Sequence, residues 1–163
     1  MKRLLLVRHA KSSWNNPSLS DAQRPLNTRG QRDAPNVGSY LSANMPAPEQ
    51  IYTSPATRAA TTASLIAACY QPKLSVQVID DLYTFSAQQL YENIHTLPNE
   101  YTTLMLVSHN PGITDLVNHL CDTDIENVPT CGVADIQIAG AEWSAISPAE
   151  NQLLAFITPK SLL

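Results

Sequence analysis

The stretch Leu4-Leu5-Leu6-Val7-Arg8-His9 is the strongest single indication of the fold. Four consecutive apolar residues with branched side chains are typical of a strand that is buried on both faces, as in a parallel sheet covered by helices. In open α/β sheets, ligands bind at the carboxyl ends of such strands. We therefore expect Arg8 and His9 to lie at the mouth of a crevice, with Lys11 just beyond them.

A second strand of the sequence ends in the same way. Leu104–Val107 is another continuous apolar run, and Ser108-His109 follows it directly. Because the carboxyl ends of parallel strands meet at one edge of a sheet, His9 and His109 are predicted to lie near each other. One histidine after a strand is a weak sign of a functional site, but the repeated pattern indicates one.

The remaining segments alternate between helices and strands. The sequence predicts helices over about 28–44, 56–70, 86–97 and 111–121, and strands over 51–53, 75–79, 133–138 and 153–157. Pro35 is expected to kink or interrupt the first helix. The last two strands are expected at one side of the sheet, in antiparallel orientation. This order predicts an α/β fold, a three-layer α/β/α sandwich with a mostly parallel central sheet and an antiparallel edge, formed by a single domain over residues 1–163.

Composition and charge restrict the possible function classes. A chain of 163 residues with 44% hydrophobic and 15% charged residues is ordinary for a globular domain. The net charge of −4 does not favour nucleic-acid binding. No apolar stretch approaches the length of a membrane span, and three cysteines without a CxxC pair are typical of a reducing compartment. We therefore expect a cytoplasmic protein that binds neither nucleic acid nor membranes.

The basic residues are concentrated near the start of the chain. Residues 1–58 contain eight of the ten Lys and Arg but only three of the fourteen Asp and Glu. Cations that converge in space would form an anion site, whereas solvated surface charge is the alternative and is expected for Lys2 and Arg32. Arg58 is the most unusual of them, because the first turn of a helix disfavours a cation by about 0.3–1 kcal/mol. A bound anion would reverse that preference, and arginine binds phosphate through two N–H groups at once.

His109 precedes a helix that Pro111 opens, so free N–H groups of that first turn can add to an anion site. Arg8, His9, Arg58 and His109 together offer two guanidinium groups, a nucleophile and a second imidazole around one small anion such as phosphate or sulfate. Other motifs are missing. None of the four histidines forms a His-x-x-x-His pair and no cysteine pair occurs, so no metal site is predicted. The sequence also contains neither a P-loop nor a Gly-x-Ser-x-Gly motif.

Five blocks of the sequence resemble one known family and occur in that family's order. They are Leu6–Ala10, Arg24–Gly30, Ser54–Ala63, Val107–Pro111 and Val128–Ala134. On these blocks the sequence resembles the histidine phosphatase superfamily, whose fold is called phosphoglycerate mutase-like. The short length and the Arg-His-Ala-Lys-Ser start resemble most the small phosphohistidine phosphatases of the SixA type.

The resemblance implies a phosphoryl transfer in two steps without a metal ion or cofactor. His9 attacks phosphorus and becomes a phosphohistidine, while one of its ring nitrogens is held by a hydrogen bond so that the other carries the lone pair. Arg8, Arg58 and His109 bind the phosphoryl oxygens and stabilise the transferring group. Water then releases phosphate and regenerates His9.

The resemblance assigns the general acid less directly. Many family members place a glutamate just after the third strand, and Asp81 stands at the matching position with Asp80 beside it. Asp21, in the first loop, is a rival for this role. Arg24 and Lys11 flank that loop and are candidates for substrate contact, although simple surface charge is an equal alternative for Lys11.

The segment between the third and fourth strands is too short for the lid-forming insertions that larger relatives have there. The resemblance thus implies an open site that admits a protein side chain, and a protein carrying phosphohistidine is the favoured substrate and partner. Two alternatives remain at this point. One is a phosphatase for small phosphate esters, and the other is a module that binds phosphate without catalysis.

Overall fold

A six-stranded mixed sheet forms the centre of the molecule in the computed structural model, which describes residues 1–163. Its strands are β1 (Lys2–Arg8), β2 (Gln50–Thr53), β3 (Val76–Val78), β4 (Thr103–Ser108), β5 (Val133–Ile138) and β6 (Gln152–Ile157). They lie in the order β3-β2-β4-β1-β5-β6. The first four in this order are parallel, whereas β5 runs antiparallel to β1 and β6 antiparallel to β5. The predicted mostly parallel sheet with an antiparallel edge is confirmed.

Two helices cover each face of this sheet. The four are α1 (Thr28–Asn44), α2 (Thr57–Ala67), α3 (Ala87–Ile94) and α4 (Gly112–Cys121). Successive side chains of a strand point to opposite faces. Leu5 and Val7 therefore belong to the core formed with α1 and α2, whereas Leu4 and Leu6 belong to the core formed with α3 and α4. The apolar run of β1 is continuous because both of its faces are buried, and this gives the predicted three-layer sandwich.

The loop after β1 is tied to the start of α1. Asn27 caps that helix, since its side chain accepts a hydrogen bond from Gly30 N at 2.9 Å. The backbone N–H of Asn27 donates to the carbonyl of Lys11 at 2.9 Å. A Cβ atom at position 30 would lie only 2.2 Å from that same carbonyl oxygen, so only glycine lets the helix approach the loop this closely.

Two expectations about individual residues are tested by the structure. Pro35 does not interrupt helix α1, in which Ala34, Val37 and Leu41 on either side of it are fully buried. Lys2 is not surface charge but is 5% exposed. Its ammonium group donates to the carbonyls of Asn99 and Tyr101 at 2.7 and 2.6 Å, across the amino-terminal edge of the sheet.

The four α-helices are 8 to 17 residues long. In addition, 3₁₀ turns cover Asp21–Gln23, Asp80–Leu82, Trp143–Ala145 and Pro159–Leu162. The first two of these turns carry the acidic residues considered for proton transfer. None of the helices is both long enough and apolar enough to cross a membrane.

Candidate active site

The carboxyl end of β1 is fixed from three sides. The backbone N–H of His9 donates to the carbonyl of Ser108 on β4 at 3.1 Å. On the other side, Cys131 N–H donates to the carbonyl of His9 at 3.0 Å and to that of the preceding residue at 2.9 Å. Below, Ala10 N–H donates to Thr62 Oγ1 of α2 at 2.9 Å. His9 thus leaves the sheet on a rigid backbone.

The ring of His9 is held in one tautomer. Its Nδ1 lies 2.7 Å from the carbonyl oxygen of Ala10. A carbonyl oxygen can only accept, so Nδ1 carries the hydrogen and Nε2 carries the lone pair. Arg58 Nε lies 3.3 Å from Nε2 and donates to it. Burial first, and then the positive charges of Arg58 and Arg8, lower the pKa of His9 to about 4, so its imidazole is neutral at neutral pH.

His109 lies beside His9, with 5.2 Å between the ring centroids. Arg58 Nη2 donates to His109 Nδ1 at 3.4 Å, which leaves the hydrogen on Nε2, 2.8 Å from Ser54 Oγ. Burial, followed by the charges of His9 and Arg58, lowers the pKa of His109 to about 3. The second imidazole is therefore a neutral hydrogen-bond donor or acceptor in this state.

Arg58 is the second residue of α2, in the first turn as predicted, and is buried. The helix begins after Ala56 with no side-chain cap. Besides its contacts with the two histidines, the guanidinium group donates from Nη1 to the backbone carbonyl of Asp21 at 2.7 Å and from Nη2 to Asp21 Oδ2 at 2.9 Å. Asp21 therefore fixes the orientation of Arg58.

Arg8, the last residue of β1, does not use all of its N–H groups in hydrogen bonds within the protein. Its Nη1 donates to the carbonyl of Val128 at 3.0 Å, but its buried Nε has no hydrogen-bond partner in the protein. Desolvation by burial lowers the pKa of this guanidinium group. A buried donor without an acceptor is costly, and an anion in front of Arg8 would supply the acceptor.

Asp21 is the acidic residue of the cluster. Its carboxylate accepts from Arg58, from Arg24 Nη1 at 2.9 Å and from the hydroxyl of Tyr83 at 2.5 Å. Its own desolvation raises the pKa of Asp21, but the hydrogen bonds from Tyr83 and Arg58 and the charge of Arg58 outweigh it and lower the pKa to about 2. The carboxylate is ionised at neutral pH, and its side chain is 45% exposed.

These groups surround one surface depression. Its lining residues are Arg8, His9, Lys11, Ser12, Trp14, Asp21, Arg24, Arg58, Phe85, Asn110 and Thr130. The structure thus brings together most of the residues singled out from the sequence, and His109 joins them through its contacts with His9 and Arg58. No group of three or more His, Cys, Asp or Glu side chains lies close enough together to hold a metal ion.

Asp81 is not brought to this cluster. It lines a different depression, together with Gln89, Glu92, Asn93 and Thr96. The chain turns into a 3₁₀ helix after β3 and buries Leu82, which leaves both Asp80 and Asp81 exposed to solvent. The carboxyl of Asp81, the residue to which the resemblance assigned the general acid, therefore lies outside the depression that contains His9. The rival Asp21 lies inside it.

Two residues of the site carry no readable signal in the sequence. Ser54 followed by proline is typical of a helix cap, but its hydroxyl faces His109 and the helix starts three residues later. Tyr83 binds Asp21 from a position 62 residues further along the chain. A contact between two loops that lack periodic patterning cannot be found from spacing.

Solved structures of the SixA type are similar to this chain over nearly its whole length. A SixA protein from Agrobacterium tumefaciens superposes with a TM-score of 0.83 at 24% identity, over 97% of this chain and 98% of that one. The protein histidine phosphatase SixA in complex with tungstate superposes with a TM-score of 0.82 at 21% identity, over 99% of both chains. These structures confirm the phosphoglycerate mutase-like fold.

Sequence comparison adds the family. A chloroplastic protein of Arabidopsis thaliana, itself uncharacterised, is 32% identical over 98% of this chain and 79% of its own length. The model of the histidine phosphatase superfamily (branch 1) matches residues 4–91, more than half of the chain, and this region carries Arg8, His9 and Arg58. The chain belongs to the histidine phosphatase superfamily, branch 1.

Proposed function

We propose that this protein is a phosphatase that transfers a phosphoryl group first to His9 and then to water without a metal ion, and that its substrate is phosphohistidine in a protein. The main support for this proposal is the tautomer and orientation of the His9 ring. Its Nδ1 is held by the Ala10 carbonyl, and its Nε2 lone pair points among the arginines of the depression. A neutral imidazole with an oriented lone pair is an activated nucleophile.

In the first step the Nε2 lone pair of His9 forms a bond to phosphorus, and the bond from phosphorus to the leaving nitrogen or oxygen breaks. The leaving atom takes the electron pair of that bond. Negative charge spread over the phosphoryl oxygens is stabilised by N–H groups that are already in place. Arg8 offers its unpartnered Nε–H, and Arg58 offers the groups now bound to Asp21 and the histidines.

In the second step water attacks the phosphohistidine, the P–N bond breaks and its electron pair returns to His9 Nε2. A base that takes the proton of the water accelerates such a step. Asp21 is the only acidic side chain that lines the depression. With a pKa lowered to about 2 it is ionised at neutral pH, so it can accept a proton only as a weak base and holds none to donate.

The same ionisation state supports phosphohistidine as the substrate. An alkyl alcohol leaves phosphorus only when an acid protonates it, and the depression holds no protonated carboxyl for that purpose. Imidazole has a pKa of about 6.5, so a phosphoimidazole protonated from solvent departs as a neutral ring. A cytoplasmic location is part of the proposal, supported by three cysteines that form no disulfide.

The test measures phosphate release, in the presence of a chelator, from a protein carrying phosphohistidine, from 4-nitrophenyl phosphate and from phosphoserine. We expect release to be fastest from phosphohistidine, and His9→Ala to lower kcat by about 10⁴-fold or more, as for other deleted nucleophiles. His119→Ala is the matched control, since this histidine is exposed on α4 and does not line the depression.

Each outcome decides between the candidates. Chelator-resistant release that depends on His9 and prefers the phosphoprotein supports the proposal. Release from 4-nitrophenyl phosphate alone keeps the histidine mechanism but moves the substrate to small esters. No release from any substrate, with phosphate still bound, would make the protein a phosphate-binding module.

A further inference from the structure

The depression is lined by more residues than those that would bind a phosphoryl group. It encloses about 290 Å³, near the lower end of the roughly 300–1,000 Å³ that small-molecule sites occupy. Only two of its eleven lining residues are hydrophobic, and both are aromatic, Trp14 and Phe85. Their exposed fractions, 75% and 49%, are among the largest of any hydrophobic side chain in the protein.

Trp14 is exposed but held in place. The guanidinium carbon of Arg24 lies 3.4 Å from the centroid of the indole ring. Arg24 is itself buried and bonded to Ser12 Oγ, to the carbonyl of Ser13 and to Asp21, so it is a fixed support. Stacking on a guanidinium group covers one face of the indole, and the large exposed fraction shows that the rest of the ring is free.

Phe85 is fixed from another direction. Its ring centroid lies 5.4 Å from that of His109 and 5.9 Å from that of Tyr83, in tilted and edge-on arrangements. It is therefore positioned relative to the histidine pair, as Trp14 is positioned relative to Asp21. Neither ring can hydrogen-bond a phosphoryl oxygen through its face, so both suit the part of the substrate that carries the phosphoryl group.

We propose that Trp14 and Phe85 form the subsite for the leaving group and select phosphoryl groups carried on a planar ring over those carried on an alkyl chain. Aromatic rings prefer to stack against other planar rings. The ring can be the imidazole of phosphohistidine or the aryl ring of a small ester, and the chemistry of recognition is shared. The inference rests on the proposed function for the role of the ring as a leaving group, whereas binding of a ring to the subsite can be measured without turnover.

The first experiment compares kcat/KM for N-phosphohistidine, 4-nitrophenyl phosphate and phosphoserine. We expect Trp14→Leu to lower kcat/KM about tenfold for the two ring substrates, in line with the strength of aromatic stacking, and to change that for phosphoserine less than about twofold. Trp14→Phe should retain most of the ring preference, and Phe85→Leu should lower it. Phe156→Leu on β6 is the matched control, since it removes a partly exposed ring that does not line the depression.

The second experiment does not depend on turnover. Calorimetric titration in the His9→Ala background compares the Kd of phenyl phosphate with that of methyl phosphate. We expect phenyl phosphate to bind about tenfold more tightly, and Trp14→Leu to remove the difference. In the first experiment, the substrate whose kcat/KM falls more in Trp14→Leu, N-phosphohistidine or 4-nitrophenyl phosphate, shows whether the subsite is built for an imidazole or for an aryl ring.

An equal loss for ring and alkyl substrates would overturn the inference, because Trp14 would then only hold Arg24 in place. No change in Trp14→Leu would overturn it as well. A third outcome is possible, in which no substrate is turned over but Trp14→Leu abolishes the tighter binding of phenyl phosphate over methyl phosphate. The subsite would then stand and the proposed function would fail.

Discussion

Two arginine–aspartate pairs in this protein have the same chemistry and different surroundings. Arg3 on β1 binds Asp135 on β5 through two hydrogen bonds of 2.8 and 2.7 Å, with Asp135 only 1% exposed. Arg58 binds Asp21 at 2.9 Å in the active-site depression, where the carboxylate also accepts from Arg24 and Tyr83 and remains 45% exposed. The first pair is closed to solvent on the carboxylate side, and the second is open.

The difference shows what an ion pair contributes in each setting. A buried pair joins two strands and cannot lose one partner without leaving an uncompensated charge in the interior. An open pair can exchange its carboxylate for another anion, since the carboxylate of Asp21 is exposed and the buried guanidinium group of Arg58 still lines the depression. Arg3 and Asp135 therefore serve stability, whereas Arg58 and Asp21 form a site in which a phosphoryl group can compete for the guanidinium group.

Replacing Arg58 by alanine should have the largest effect on the open pair. We expect kcat for phosphohistidine to fall about 10²–10³-fold, because preorganised donors to the transferring group are lost, and KM to rise. Steady-state kinetics and thermal unfolding check this. A fall in Tm that accounts for the lost activity, with a normal kcat for the folded fraction, would contradict the distinction between the two pairs.

Replacing Arg3 by methionine should do the opposite. We expect the free energy of unfolding to fall by about 3 kcal/mol, because the buried carboxylate of Asp135 loses its partner, and kcat per folded molecule to stay unchanged. Urea titration measures the first quantity and kinetics the second. The double variant Arg3→Met, Asp135→Leu should recover much of the stability, since two apolar side chains leave no unpaired charge.

The variant Asp21→Asn tests whether the carboxylate of the open pair acts as the base for the attacking water. We expect about a tenfold to hundredfold slower hydrolysis of the phosphohistidine intermediate, since the base for the attacking water is lost. A quench-flow measurement of the intermediate on His9 should show that it accumulates. Asp81→Asn is the matched control and should leave the rate within about twofold of the wild type; an equal slowing by both variants would restore Asp81 to the mechanism.

The smallest expected effect concerns the protonation of His9 and His109, which we expect not to change near neutral pH. With pKa values lowered to about 4 and about 3, His9 and His109 should stay neutral between pH 8 and 5.5. Their Cε1–H resonances in NMR spectra should then hardly move over this range. An unfolded histidine binds its proton near pH 6.5, so both residues contribute stability above that pH that is lost as the pH falls toward 4. A midpoint near 6.5 for His9 would show that the ring is solvated.

Much of this site could be predicted from local sequence patterns. The apolar runs ending at His9 and His109 placed two histidines at the same edge of the sheet, and the structure shows that their strands are neighbours. The position of Arg58 at a helix start was equally readable. Asp21 was only an alternative, because it meets Arg58 from a loop 37 residues away and no periodicity specifies such a contact. The prediction for Lys2 was wrong because its ammonium group donates hydrogen bonds to carbonyl groups of a distant loop and does not face solvent.

The contact between Gly30 and the carbonyl of Lys11 has a consequence for how this protein tolerates mutation. A single added carbon at position 30 would lie 2.2 Å from that oxygen, so the loop that follows His9 must shift. A displacement of about 1 Å can cost about 10²-fold in rate even when it originates far from the reacting atoms. A mutational scan scored by phosphate release should therefore rank position 30 with His9, while the same scan scored by protein abundance should rank it with ordinary positions of α1.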